Sequence, residues 1–307
     1  MTDVLAAIVP VFAVIALGAL LRRRHWVADG FWTPAEAITF NVLFPALLFT
    51  STARADLGGA EVLPMWAAIF VGFVAVAALA VPVGRMLGLG HPAQASVVQG
   101  AVRGNAYVGF AVAYASFGDA GLSLMGVAVI LVAPLINAIG VVAHIVLVPG
   151  ADGAKKGVGT MAMEVAKNPL VLACVLGGAL NASGLGLPPL VEPFLDILAR
   201  AALPLGLLAV GAGLDLHAAR RAWSAVGGAA AMKLILLPAA VWTLCAALNV
   251  DVASMQAAMI WAAAPVSGTS YVVSRRMGGD APLMAGIITA TTLAGAATLP
   301  VWIALIS

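Results

Sequence analysis

Two short runs in this chain set helix breakers and polar side chains inside otherwise apolar sequence. The first is Arg103-Gly104-Asn105-Ala106-Tyr107. The second, at an offset of 160 that aligns Asn105 with Pro265, is Pro265-Val266-Ser267-Gly268-Thr269. Proline removes a backbone donor and clashes with the preceding turn, and glycine relaxes the chain, so each run is expected to interrupt a helix. An interrupted helix exposes N–H and C=O groups that Asn105, Ser267 and Thr269 can satisfy or share with a ligand. Arg103 brings a guanidinium that can grip a carboxylate through two parallel hydrogen bonds, satisfy broken-helix carbonyls, or reach toward the interface. Lys233, in Ala-Ala-Ala-Met-Lys-Leu-Ile-Leu-Leu-Pro, is a second cation. It either compensates charge, cycles a proton, or caps the carbonyls of the second broken helix. Asn137 either faces the breaks or makes an interhelical amide contact. The candidate binding set is therefore Arg103, Gly104, Asn105, Tyr107, Asn137, Lys233, Pro265, Val266, Ser267 and Thr269, and the chemistry it suits is the holding of an organic anion.

The elements that must position these residues follow from composition. Hydrophobic residues make up 63% of the 307 residues and charged residues 9%, with a mean hydropathy of +1.08. Soluble domains carry roughly 25% charged residues, so this chain needs lipid as its solvent. A net charge of +2 gives no reason to expect a nucleic-acid partner. Cys174 and Cys245 sit in apolar runs and read as small buried hydrophobes. The first apolar stretch, 4–21, follows Met1-Thr2-Asp3 and precedes Arg22-Arg23-Arg24, which is the pattern of a first membrane helix rather than of a cleaved signal.

A bilayer core of ~30 Å takes about 20 apolar residues per helix. Ten spans are expected, over 4–21, 34–53, 61–84, 92–117, 121–148, 168–182, 192–213, 221–248, 252–274 and 282–305. Residues 149–167 form the one long connection, where Met161 and Val165 suggest a short interfacial helix. Eleven of the fifteen Lys and Arg residues fall in loops on one side: Arg22, Arg23, Arg24, Arg85, Lys155, Lys156, Lys167, Arg220, Arg221, Arg275 and Arg276. Arg54 stands alone on the other side. The positive-inside rule then puts both termini outside a cell membrane. Sliding the sequence by 159 residues superposes Pro10 on Pro169, Gly18 on Gly177, Pro34 on Pro193, Pro45 on Pro204 and Asp56-Leu57 on Asp215-Leu216. A residue or two of slippage later, Gly118-Asp119-Ala120 meets Gly279-Asp280-Ala281. The expected organisation is all-α and integral to the membrane. It has two inverted five-helix repeats, 1–148 and 168–307, joined by a cytoplasmic linker at 149–167. Such repeats describe a secondary transporter, with broken fourth and ninth helices crossing at the midplane.

Four motifs carry a family resemblance. They are Asn41-Val42-Leu43-Phe44-Pro45-Ala46-Leu47-Leu48-Phe49, Arg103-Gly104-Asn105-Ala106-Tyr107-Val108-Gly109, the Ala-Ala-Pro-Val-Ser-Gly run at 263–268, and the closing Thr-Thr-Leu-x(5)-Leu-Pro-x-Trp at 291–302. In these the chain resembles the auxin efflux carrier family over essentially its whole length. The resemblance implies a ten-helix fold like that of bile-acid symporters and sodium–proton antiporters. In that fold spans 1, 2, 6 and 7 are the scaffold, and spans 3–5 and 8–10 form a transport domain that moves as an elevator. It further implies organic acid anions such as auxin or malonate as substrates, and a homodimer. Plant members have asparagine near both crossovers, whereas alanines precede Pro265 here, and the long cytosolic loop of many plant members is absent.

Other charged residues admit plainer readings. Asp196 and Arg200, four apart, suit a helix-surface ion pair. Asp56 and Asp215 close matching helices as terminal or hinge residues. His25, His91 and His217 read as solvated, and His144 as either a packing histidine or a proton-coupling one. The break region holds no paired carboxylates, which argues against sodium–proton exchange and for fixed positive potential. Gly211-Ala212-Gly213-Leu214-Asp215 resembles an intramembrane aspartyl-protease Gly-x-Gly-Asp only if an extra leucine is ignored. Gly-x-Ser-x-Gly and His-Glu-x-x-His are absent. No enzyme activity, cofactor or metal is expected, and an anion channel of the same fold is the remaining alternative to a carrier.

Overall fold

In hydrocarbon every backbone polar group has to be satisfied internally, and helices do this within one segment. The computed structural model describes residues 2–54, 62–148, 167 and 169–306, and every regular element among them is helical. Seven helices are long and apolar enough to cross a membrane: α1 (Thr2–Arg23), α2 (Asp29–Ala53), α3 (Val62–Met86), α5 (Ala106–Leu147), α7 (Glu192–Ala212), α9 (Trp223–Ala247) and α12 (Ala281–Ile306). Two shorter apolar helices are α6 (Pro169–Ser183) and α10 (Val252–Ala263). Three further helices are α4 (His91–Val102), α8 (Leu216–Arg221) and α11 (Thr269–Arg276).

The expected fourth span is divided between α4 and the start of α5, and the ninth between α10 and α11. The 42-residue α5 bends at Gly118, whose φ of 61° and ψ of −148° only glycine adopts cheaply. Its two segments thereby take up the second half of span four and the whole of span five. Two helices also loosen into π turns, at Thr39–Leu43 in α2 and Met232–Leu236 in α9. Each lies just ahead of a proline, Pro45 and Pro238, which cannot donate to the carbonyl four residues back. In α9 the carbonyl so freed, that of Leu234, accepts from Trp302 Nε1 at 2.8 Å. The 149–167 linker apart from Lys167, with its suggested interfacial helix at Met161 and Val165, and Asp56 lie outside the described residues.

The chain divides into two compact units that interleave the sequence halves. Unit 1 is Met1–Ala60, Tyr107–Leu131 and Met163–Gly213; unit 2 is Glu61–Ala106, Val132–Ala162 and Leu214–Ser307. Unit 1 therefore holds spans 1, 2, 6 and 7 together with 107–131, a stretch that the family resemblance placed among the moving helices.

Within unit 1, α1 packs on α7 and α2 on α6. Gly18 lets α1 press on the Leu208 carbonyl of α7, and Gly177 lets α6 press on the Phe49 carbonyl of α2; a Cβ at either glycine would overlap the facing backbone oxygen. Adding 159 to 18 and to 49 gives 177 and 208, so the repeat-related pairs make the same contact.

The ion pair expected between Asp196 and Arg200 is not formed. Arg54 Nη2 instead reaches Glu192 Oε1 at 2.6 Å and both oxygens of Asp196 at 3.0 Å. Two carboxylates one turn apart on α7 offer a guanidinium more than a single i, i+4 neighbour can, and the end of α2 delivers it to them. In unit 2, α3 packs on α4 and α9, and α12 on α10 and α9. Lys233 and Trp261 are among its most deeply buried side chains.

Candidate crossover site

The two breaks are built alike. After Val102, Arg103 turns extended (φ −77°, ψ 111°), and after Ala263, Ala264 does the same (φ −58°, ψ 138°). A helical ladder cannot continue through such a residue, so each helix stops one step before its glycine or proline. The freed strands then pair with each other. Gly104 and Val266 form an isolated antiparallel bridge, and Asn105 N–H donates to the Pro265 carbonyl at 2.7 Å. Gly104 eases this approach, because a Cβ there would sit 3.2 Å from the Trp261 carbonyl oxygen, a tight contact. Val266 N–H finds its partner outside the pairing, in Thr291 Oγ1 of α12, at 3.0 Å. Gly104, Asn105, Pro265 and Val266 are all buried.

The cations divide their labour. Lys233 is fully buried on the π turn of α9, and its Nζ donates to the carbonyls of Trp261 at 3.4 Å and Ala262 at 2.5 Å. These are carbonyls of the last turn of α10, where an ammonium both completes hydrogen bonds and opposes the negative end of the helix dipole. Of the three roles open to Lys233, the cap on the broken helix is the one its geometry fits. Arg103 is half-buried and its Nη2 donates to Thr269 Oγ1 at 3.2 Å, while Thr269 Oγ1 lies 3.0 Å from Ser267 Oγ. Among the described residues no carboxylate lies in ion-pair range of Arg103. The helix starts at Ala106 and Thr269 also place two N-terminal, positive dipole ends at the crossover.

Eight of the ten candidate residues are thus gathered at or against the crossover: Arg103, Gly104, Asn105, Lys233, Pro265, Val266, Ser267 and Thr269. Tyr107, in the first turn of α5, belongs to unit 1, where its ring lies 4.7 Å from that of Phe44. Asn137 is half-buried in unit 2; Gly140, one turn on, packs on Gln99. Three polar residues of unit 2 escaped the sequence reading. Thr291 supports Val266, and buried Ser274 donates to the Oε1 of buried Gln99 at 3.0 Å. The Thr-Thr pair inside an apolar span was the signal for the first, and a glutamine one turn before a break for the second.

The remaining polar residues take structural parts. Asp215 caps α8, accepting from the backbone of His217 and Ala218, and Asp196 is held by Arg54. His91, expected to be solvated, contacts the Leu147 carbonyl through Nδ1 at 2.8 Å. His144 is fully buried, with Nδ1 2.7 Å from the Gly140 carbonyl. No group of three or more His, Cys, Asp or Glu side chains among the described residues is placed to hold a metal ion.

Comparison with known proteins finds membrane transporters. A family model described as "Membrane transport protein" matches residues 158–303. Over 321 residues, 99% of this chain and 98% of the relative, the sequence is 25% identical to "Uncharacterized transporter YfdV" of Escherichia coli (strain K12). It is 27% identical, over 97% of this chain and 94% of the relative, to "Putative malonate transporter" of Rhizobium meliloti (strain 1021). Along nearly its whole length the chain is thus similar to proteins named as membrane transporters, and its second half to the membrane transport family model.

Proposed function

We propose that this protein is a secondary-active carrier of a small organic acid anion, working by alternating access around the α4–α5 and α10–α11 crossover. The observation that carries the reading is the state of Arg103. At a break whose neighbouring backbone groups find partners in Pro265, Thr291 and Lys233, its guanidinium meets, among the described residues, only a neutral hydroxyl. A carboxylate arriving there would gain a bidentate partner, the hydroxyls of Ser267 and Thr269, and two helix N-termini. The relative named as a malonate transporter favours mono- and dicarboxylates as the class. Asn105 takes the ligand through its amide, Gly104, Pro265 and Val266 shape the backbone around it, and Asn137 is an outer member of the site.

Ten spans in two inverted repeats, 1–148 and 168–307, with both termini outside the cell membrane, belong to the same reading. The repeat-related contacts Gly18–Leu208 and Gly177–Phe49 support it. An elevator motion is favoured by the paired residues of both breaks, Arg103 to Asn105 and Pro265 to Thr269, lying in one unit, and a homodimer is the assembly that would anchor it. The test is uptake of labelled mono- and dicarboxylates into proteoliposomes, with and without pH and potential gradients. A carrier gives saturable uptake and counterflow. Conductance without saturation would mean a channel of the same fold, and no flux of any acid would end the proposal.

A further inference from the structure

A cavity of about 920 Å³ opens within unit 1, between α1, α2, α7 and the residues on either side of the Gly118 kink. That volume is of the size that small-molecule sites occupy. Much of its wall is apolar, with Val11, Leu47, Leu203 and Leu207 among the residues that line it. Its charges are sorted by depth. Where α2 ends and α7 begins, Arg54 is spent on Glu192 and Asp196, and Asp119 stands exposed beside the kink. Arg200 lies deeper. It is eight residues into the 21-residue α7, which at 1.5 Å per residue is about 12 Å from the helix start and near the bilayer midplane.

An arginine at that depth is costly and normally faces protein or water with a partner. Arg200 lines the cavity, is exposed, and makes no ion pair or hydrogen bond among the described residues. Its expected partner, Asp196, is held by Arg54. One turn on, Pro204 has no N–H to give the Arg200 carbonyl, and in α1 Pro10 has none for that of Ala6. All four residues line the same cavity. Its deep end therefore presents one unpaired guanidinium beside polar backbone, under an apolar wall.

We propose that this cavity is a second binding site, which takes a carboxylate attached to an apolar body or tail: Arg200 grips the carboxylate, and Val11, Leu47, Leu203 and Leu207 receive the apolar part. The site lies wholly in unit 1 and uses no residue of the crossover, so it stands or falls separately from the transport reading.

Equilibrium binding of labelled dodecanoate and octanoate to the purified full chain tests it, with dodecanol as competitor. Wild type is expected to bind dodecanoate saturably at one per chain, with dodecanol failing to displace it. Arg200→Gln should weaken binding by about tenfold or more, and Arg200→Lys should restore part of it because a point charge replaces a fork. Leu203→Trp fills the apolar wall while keeping Arg200, and should abolish binding even if the Arg200 variants fold poorly. Native mass spectrometry of freshly purified protein separates the sources. A retained anionic amphiphile that Arg200→Gln loses comes from the bilayer, whereas an empty wild-type chain that then binds octanoate draws from solution. Arg200→Gln or Leu203→Trp binding like wild type, or the absence of both saturable binding and a retained amphiphile, would overturn the proposal.

Discussion

Thr291→Val is the sharpest perturbation of the crossover, because it changes one atom's chemistry and almost no volume. Thr291 is fully buried, and its Oγ1 accepts from Val266 N–H at 3.0 Å while donating to the Ile287 and Ile288 carbonyls of its own helix. Those two carbonyls belong to a continuous helix and lose little. Val266 N–H is in a different position. It sits at the break, buried, with no helical acceptor to fall back on. Leaving such a donor unsatisfied costs about 1–3 kcal/mol. If that penalty falls on the paired arrangement of the breaks, the population competent to bind drops by roughly fivefold to over a hundredfold, at about 1.4 kcal/mol per factor of ten. Thr292→Val is the matched control. Thr292 is equally buried, and among the described residues its Oγ1 bonds the Ile288 carbonyl and no group of the crossover. The assay is paired: melting of the purified protein, and initial uptake in proteoliposomes at equal reconstitution. Thr291→Val should fall well below Thr292→Val in both. If the two variants behave alike, Thr291 does not support the break and the pairing of α4 with α10 does not depend on it.

Three further outcomes are expected. Arg103→Gln should raise the transport constant at normal expression, with Arg103→Lys recovering only part of the loss; unchanged kinetics in both would return Arg103 to a structural part. Asn105→Ala should abolish saturable uptake and ligand-induced thermal stabilisation together, and Pro265→Ala should impair transport while leaving the protein in the membrane, so wild-type transport by both would move the site elsewhere. A single cysteine placed at position 153, in a background lacking Cys174 and Cys245, should resist impermeant reagents in intact cells, and its labelling would refute the inverted topology.

The breaks were legible because glycine and proline act on their own chain. Gly104, Pro265 and Gly268 signal a stop wherever they fall in an apolar run, and Gly118 signals the bend in the same way. What satisfies the stops was legible only in part: capping of the second broken helix was one of the readings open to Lys233, which reaches Trp261 and Ala262, but nothing local ties Thr291 of a remote helix to Val266. The same blindness explains the misplaced ion pair. Helical periodicity sees Arg200 four residues from Asp196 and cannot see Arg54, 142 positions away, arriving from α2. The prolines at 45 and 238 were visible as residues, but that each would open a π turn depends on how the neighbouring helices take up the freed carbonyl, as Trp302 does for Leu234.

The pairing of the breaks also bears on which charge meets a ligand. Each break has a helix C-terminus on one side, with carbonyls to satisfy, and a helix N-terminus on the other, with donors to offer. At α10 the carbonyls are answered by Lys233, whose ammonium is buried against them. At α4 the corresponding basic residue is Arg103 itself, carried on the first extended position, and its reach goes forward to Thr269 at the start of α11 rather than back to its own helix. One cation therefore holds the architecture together, and the other looks across to a hydroxyl that a carboxylate can replace as acceptor. The start of α11, which carries Thr269, adds its positive dipole end to the charge of Arg103. A carrier for anions needs a positive site that is emptied each cycle. A guanidinium resting on a neutral hydroxyl can release its ligand, whereas an ammonium buried on two carbonyls is committed to the fold.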